Sequence, residues 1–132
     1  MMKYLGIYLA VLLTMFLVDM LWLQVIATAW YEQGIGHLMT TSPNLAAAAI
    51  FYLLFPAGLV IFGVLPNEGS TLLKTVLTGA LFGFFAYATY DLTNLATLKA
   101  WPVGITVLDM AWGSLVSGLS TLAGKLAMDA LK

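Results

Sequence analysis

Three aspartates, Asp19, Asp91 and Asp109, stand inside apolar stretches of the chain, and two of them open the same tetrad, Asp-Met-x-Trp, at 19–22 and 109–112. A carboxyl group in hydrocarbon is costly, and intramembrane acids are therefore read first as functional groups. Helical spacing supplies their companions. Tyr87, Asp91, Asn94 and Leu98 recur at i, i+4, i+7 and i+11, so a phenol, a carboxyl and an amide share one stripe that should face protein. Thr106, Asp109, Gly113 and Ser117 form a second stripe, small on its inner half, where a neighbouring backbone can approach. Asp19 shares a face with Met15, Trp22 and Leu23, while Gln24 points elsewhere.

The chemistry open to such a set is binding or proton handling. No intramembrane lysine, arginine or histidine is expected to pair the three carboxyls, and like charges in a low dielectric cannot all ionise. At least one should be protonated near neutral pH, or a cation should be present. The competing reading is interhelical glue, in which Asp, Asn, Tyr and Thr bond one another and do no chemistry. Trp22 and Trp112 divide the same way: they pack, each indole N–H finding the adjacent carboxylate, or they wall an acidic pocket and stack on a lipid chain, an isoprenoid or a cation. A metal site is disfavoured, because helical carboxylate sites usually add a Glu-x-x-His pair and the sole histidine, His37, falls in an expected loop. No cofactor is expected. The chain has no cysteine, which removes thiol and disulfide chemistry, and it carries no Gly-x-Ser-x-Gly, phosphate loop or His-Glu-x-x-His. Catalysis is thus less expected than binding.

These side chains must be positioned by membrane helices. Of 132 residues 62% are hydrophobic and 8% charged, a balance far from that of soluble domains. Four apolar segments, each long enough to cross about 30 Å of hydrocarbon, predict an all-α, single-domain, four-helix transmembrane bundle over 1–132, with helices at about 4–30, 44–65, 71–98 and 103–128. The first segment runs on to about Trp30, too long for a secretory signal core of roughly 7–15 residues. Thr41-Ser42-Pro43-Asn44 and Pro66-Asn67-Glu68-Gly69-Ser70 supply turns and caps, and Trp101-Pro102 opens the last helix. Pro56 should kink the second helix and free a carbonyl near Tyr52.

Lys3, Lys74, Lys125 and Lys132 fall on one side of this arrangement and Lys99 on the other, so the positive-inside rule places both termini in the cytoplasm of a multi-pass bacterial inner-membrane protein. Depth then follows from a rise of about 1.5 Å per residue: Asp19 and Asp91 lie about 21 and 28 Å from the cytoplasmic face, and Asp109 about 20 Å. All three converge on the outer half. Gly79-x-x-x-Gly83 is consistent with close helix packing, in the bundle or in a dimer. A net charge of −1 without any arginine leaves no basic patch for nucleic acid.

The run Tyr90-Asp91-Leu92-Thr93-Asn94-Leu95-Ala96-Thr97-Leu98-Lys99-Ala100-Trp101-Pro102, followed by Asp109-Met110-Ala111-Trp112-Gly113, resembles a bacterial family of four-helix inner-membrane proteins known as a domain of unknown function. The resemblance covers the whole chain and implies no activity, cofactor or catalytic residue. Some members are encoded beside genes for fatty-acyl modification and photo-oxidative stress, which implies lipid as the substrate class.

The resulting expectation is an acidic intramembrane pocket towards the outer face that binds a lipid-like or cationic amphiphilic molecule. Asp91 and Asp109 are its main polar contacts, Asp19, Asn94 and Thr106 complete it, and Trp22, Trp112 and Tyr87 line it. The alternatives are a dimeric proton-coupled exporter of small cations or drugs, an accessory subunit for membrane-lipid modification, and a scaffold. Expected partners are membrane lipids, with a second copy or another membrane protein as further candidates.

Overall fold

A computed structural model describes residues 1–132 and contains helices and short connections only. Four helical stretches have the length and apolar composition to cross a membrane: Met2–Ile26, Leu45–Asn67, Leu72–Thr97 and Val103–Ala130. An even number of crossings places the two termini at one end of the bundle, where Lys3 bonds Glu68 at 2.8 Å and Gly6 lies against Leu131.

The first crossing is α1 (Met2–Leu21), which widens into a π turn at Trp22–Ile26 and breaks at Ala27 before a short α2 (Thr28–Ile35). One uninterrupted helix over 4–30 was expected, and the structure corrects it. Ala27 donates its N–H to the Trp22 carbonyl at 2.7 Å, the five-residue spacing of a π turn, and Thr28 returns its hydroxyl to the Leu23 carbonyl at 2.6 Å. No glycine or proline marks the break. Tertiary packing makes it, since Ala27 and Tyr31 close against Trp101 and Ile105, and Gly34 leaves room for the Ile105 side chain. The expected loop at 31–43 is consequently helical as far as Ile35, and His37 sits in a single 3-10 turn.

α3 (Leu45–Leu59) starts at Asn44, whose side chain accepts the Ala47 N–H at 3.0 Å. Pro56 lies inside it, and a π turn at Val60–Val64 and a 3-10 turn at Leu65–Asn67 complete the crossing. A side chain bonds a carbonyl near this proline at Leu53, reached by the Tyr8 hydroxyl at 2.6 Å, one residue beyond the Tyr52 carbonyl expected to be freed. α4 (Leu72–Thr97) is capped by Thr71, which accepts the Lys74 N–H at 3.1 Å. Ala100, in the left-handed region at φ 59°, turns the chain into α5 (Val103–Ala130), entered through Pro102.

α5 is the axis of the bundle: it packs most extensively on α4, then on antiparallel α1. Its contact with α4 depends on absent side chains. A Cβ on Gly79 would collide with Thr121, one on Gly83 with Ser117, and one on Gly113 with the Tyr87 ring. The Gly-x-x-x-Gly pair is thus spent inside the bundle, where small residues bring backbones together. Buried Ile7, Val11, Leu59, Val60, Val64 and Met128 fill the end carrying the termini, while Met15, Trp112 and Val116 pack at mid-bundle. Only 30 of 132 residues are buried, and Leu17, Leu54, Leu73, Leu81 and Phe85 point outwards. That surface is stable in hydrocarbon, where lipid tails are as apolar as a protein core.

Candidate functional site

The three carboxyls lie in one region of the bundle but in different states of hydrogen bonding. Asp19, buried on α1, accepts the Trp112 indole N–H at 2.8 Å on one oxygen and the Tyr52 hydroxyl on the other. Asp109, half-buried on α5, accepts the Tyr31 hydroxyl at 2.7 Å. Asp91 on α4 is fully buried, and no donor of the chain bonds either oxygen, its one polar neighbour being the carboxyl of Asp109. It stands beside Asp109 in the wall of one cavity.

The repeated tetrad acquires a geometric meaning. Trp112 bonds the aspartate of the other tetrad, and Trp22 donates at 3.2 Å to the Tyr31 hydroxyl, which in turn donates to Asp109. Each indole therefore serves the opposite helix, directly in one case and through a phenol in the other. The two rings stack with centroids 4.4 Å apart and planes 6° from parallel, a contact worth about 0.5–1.5 kcal/mol beyond its buried area. Antiparallel helices carrying one motif produce this reciprocity when the motifs cross at the same level. The expectation that each indole bonds the carboxylate of its own tetrad is corrected, because residues i and i+3 on a straight helix present both groups to the neighbour.

Two cavities adjoin at this level. The first, about 420 Å³, opens towards the end away from the termini and is lined by Gln24, Thr28, Tyr31, Glu32, Tyr90, Asp91 and Asp109 together with Leu23, Ile35, Met39, Trp101 and Ile105. The second, about 370 Å³, has Asp19, Leu23, Phe51, Tyr52, Phe55, Ala86, Tyr87, Tyr90 and Asp109 on its walls. Leu23, Tyr90 and Asp109 belong to both. Burial raises the Tyr31 phenol above its ordinary pKa of 10.0, with Asp109 adding to the shift. The phenol stays protonated and keeps its role as donor to Asp109.

Asp91, Asp109, Asp19 and Tyr87 thus line cavities, whereas Trp22 and Trp112 form the stacked pair beside them. Asn94 is half-buried on α4 and lines neither of the two. Thr106 is buried, but its hydroxyl accepts from the Trp101 indole at 3.1 Å and bonds the Pro102 carbonyl at 3.1 Å, so it holds the entry to α5 together. Sequence reasoning missed Tyr31, Tyr52, Tyr90 and Glu32. Tyr31 follows the first apolar segment, and only the break at Ala27 turns it back onto α5. A basic residue is buried in a crossing after all. Lys125 lies near the terminal end of α5, bonded to the Asn67 and Glu68 carbonyls at 3.1 and 2.8 Å and 3.4 Å from Asp129. Its amine is engaged there and does not pair the three carboxyls.

The family model described as Predicted membrane protein (DUF2177) matches residues 4–126. No curated protein and no solved structure matches the chain.

Proposed function

The chain belongs to the DUF2177 family of predicted membrane proteins, and from that premise we propose that it is a binding protein whose intramembrane acidic cavity takes up the ammonium group of a cationic amphiphile. One observation carries this reading. Asp91 has both carboxyl oxygens buried with no donor from the chain, beside the Asp109 carboxyl in the lining of a cavity of about 420 Å³ that Glu32 also lines. A buried polar group without partners is costly unless something supplies them, and a ligand N–H is the complement that a carboxyl lacking donors calls for. The cavity volume lies within the usual range of small-molecule sites, about 300–1,000 Å³.

In this reading Asp91 and Asp109 contact the ammonium group, and Tyr31 holds Asp109 in place. Asp19 serves the scaffold in this reading, since each of its oxygens already accepts a bond from a different helix. The lysine distribution supports termini in the cytoplasm of a bacterial inner membrane, with the mouth of the cavity facing outwards. Titration of n-propylammonium into the protein in lipid nanodiscs tests the proposal. Asp91→Asn is expected to weaken binding by at least tenfold while thermal unfolding is no earlier than in the parent. Equal binding by parent and variant would refute it.

A further inference from the structure

We infer that the second cavity is the tail subsite of the same ligand, so that the occupant is a single-chain alkylammonium compound lying across both cavities. The inference rests on the proposed ammonium site and deepens it. The cavities adjoin across Leu23, Tyr90 and Asp109, so a molecule whose nitrogen meets Asp91 and Asp109 already touches the rim of the second. Beyond that rim the lining changes character. Phe51 and Phe55 stand with parallel-tending rings 5.6 Å apart, Phe55 meets the Tyr87 ring at 6.0 Å, and Ala86 leaves space between them. Besides Asp109 on the rim, the one carboxyl there is Asp19, each of whose oxygens already accepts a bond, from Tyr52 and from Trp112. The second cavity therefore presents mostly hydrocarbon and ring faces to an occupant, while the Asp91 oxygens, which no donor of the chain bonds, belong to the first. Head and tail are thereby assigned in opposite directions, and a dication with nitrogens at both ends fits poorly.

Ala86 is the position from which the tail subsite can be filled without touching the acidic groups. Four probes, n-propyl-, n-butyl-, n-pentyl- and n-hexylammonium, would be titrated into the parent and Ala86→Phe proteins in nanodiscs of one lipid composition, so that partition into lipid is common to both. For the parent, affinity should rise by a few-fold with each methylene, as expected from about 0.8 kcal/mol per CH₂ removed from water. In Ala86→Phe the series should flatten while n-propylammonium binds as in the parent. A parent series without chain-length dependence, or an unchanged slope in the variant, would overturn the tail subsite and leave the ammonium site standing. Failure of every probe to bind the parent would defeat both. Should Ala86→Phe not fold, Ala86→Leu makes the same comparison, and tighter binding of 1,6-hexanediammonium than of n-hexylammonium by the parent is by itself enough to reject the assignment.

Discussion

At the residue scale, the three aspartates divide by what each oxygen touches. Asp19 is an acceptor for two helices at once, Asp109 is held by one phenol, and Asp91 has no donor from the chain, only the Asp109 carboxyl beside it. This division predicts opposite responses to removal. Asp19→Ala leaves the Trp112 N–H and the Tyr52 hydroxyl without acceptors, at about 1–3 kcal/mol for each orphaned donor. Asp91→Leu orphans no donor, removes a carboxyl crowded against that of Asp109 and puts an apolar group in its place, which is neutral or stabilising. Unfolding in one lipid composition should therefore rank Asp91→Leu at or above the parent and Asp19→Ala well below it; the reverse order would contradict the hydrogen-bond assignment. The importance of the carboxyls was visible in their residue type. Their different roles were not, because Tyr31, Tyr52 and Trp112 reach them from other elements, 78, 33 and 93 residues apart in the chain.

At the scale of elements, the decisive surface is the α4–α5 contact. Gly83 and Gly113 are positions where a methyl group would collide with Ser117 and Tyr87, and overpacking of this kind costs about 1–3 kcal/mol. Gly104, near the start of α5, has nothing within 4 Å of the same added atom. Thermal unfolding should accordingly fall for Gly83→Ala and Gly113→Ala and hold or rise for Gly104→Ala, where helix propensity favours alanine by about 1 kcal/mol. The four crossings and the Asn44 cap were legible, since span length and capping chemistry are local. The break at Ala27 was not. Ala27-Thr28-Ala29 contains no breaker, and the chain turns there because Tyr31 gains an acceptor on α5 and an apolar seat against Trp101.

At the scale of the whole molecule, the end carrying the termini is tied by charge. Lys3 bonds Glu68 at 2.8 Å and lowers the Glu68 pKa below its ordinary 4.5. The stabilising contribution is complete above the ordinary value and is lost as pH falls through the lower value of the folded protein. Glu68→Gln should thus unfold slightly earlier than the parent at pH 7, with the gap closing as the carboxylate is protonated and narrowing in high salt. A gap that persists at pH 2 would assign the effect to something other than this ion pair. Nearby, Lys125 joins α5 to the turn after α3 through the Asn67 and Glu68 carbonyls.

Composition and apolar run length were enough to specify four membrane crossings, because the cost of burying backbone polar groups in lipid leaves a helix as the only answer for such segments. Spacing along single helices put Tyr87 and Asp91 on one stripe of α4, yet the two side chains line different cavities. Tertiary structure alone decided which carboxyl is satisfied and which is left open. In a bilayer, residues facing lipid and residues facing the core are equally apolar, so hydrophobic periodicity gives little information on helix rotation. Rotation and register are set here by glycine contacts on α4 and α5 and by the crossing of two Asp-Met-x-Trp motifs. That crossing occupies Asp19 and leaves Asp91 facing a cavity without a donor from the chain.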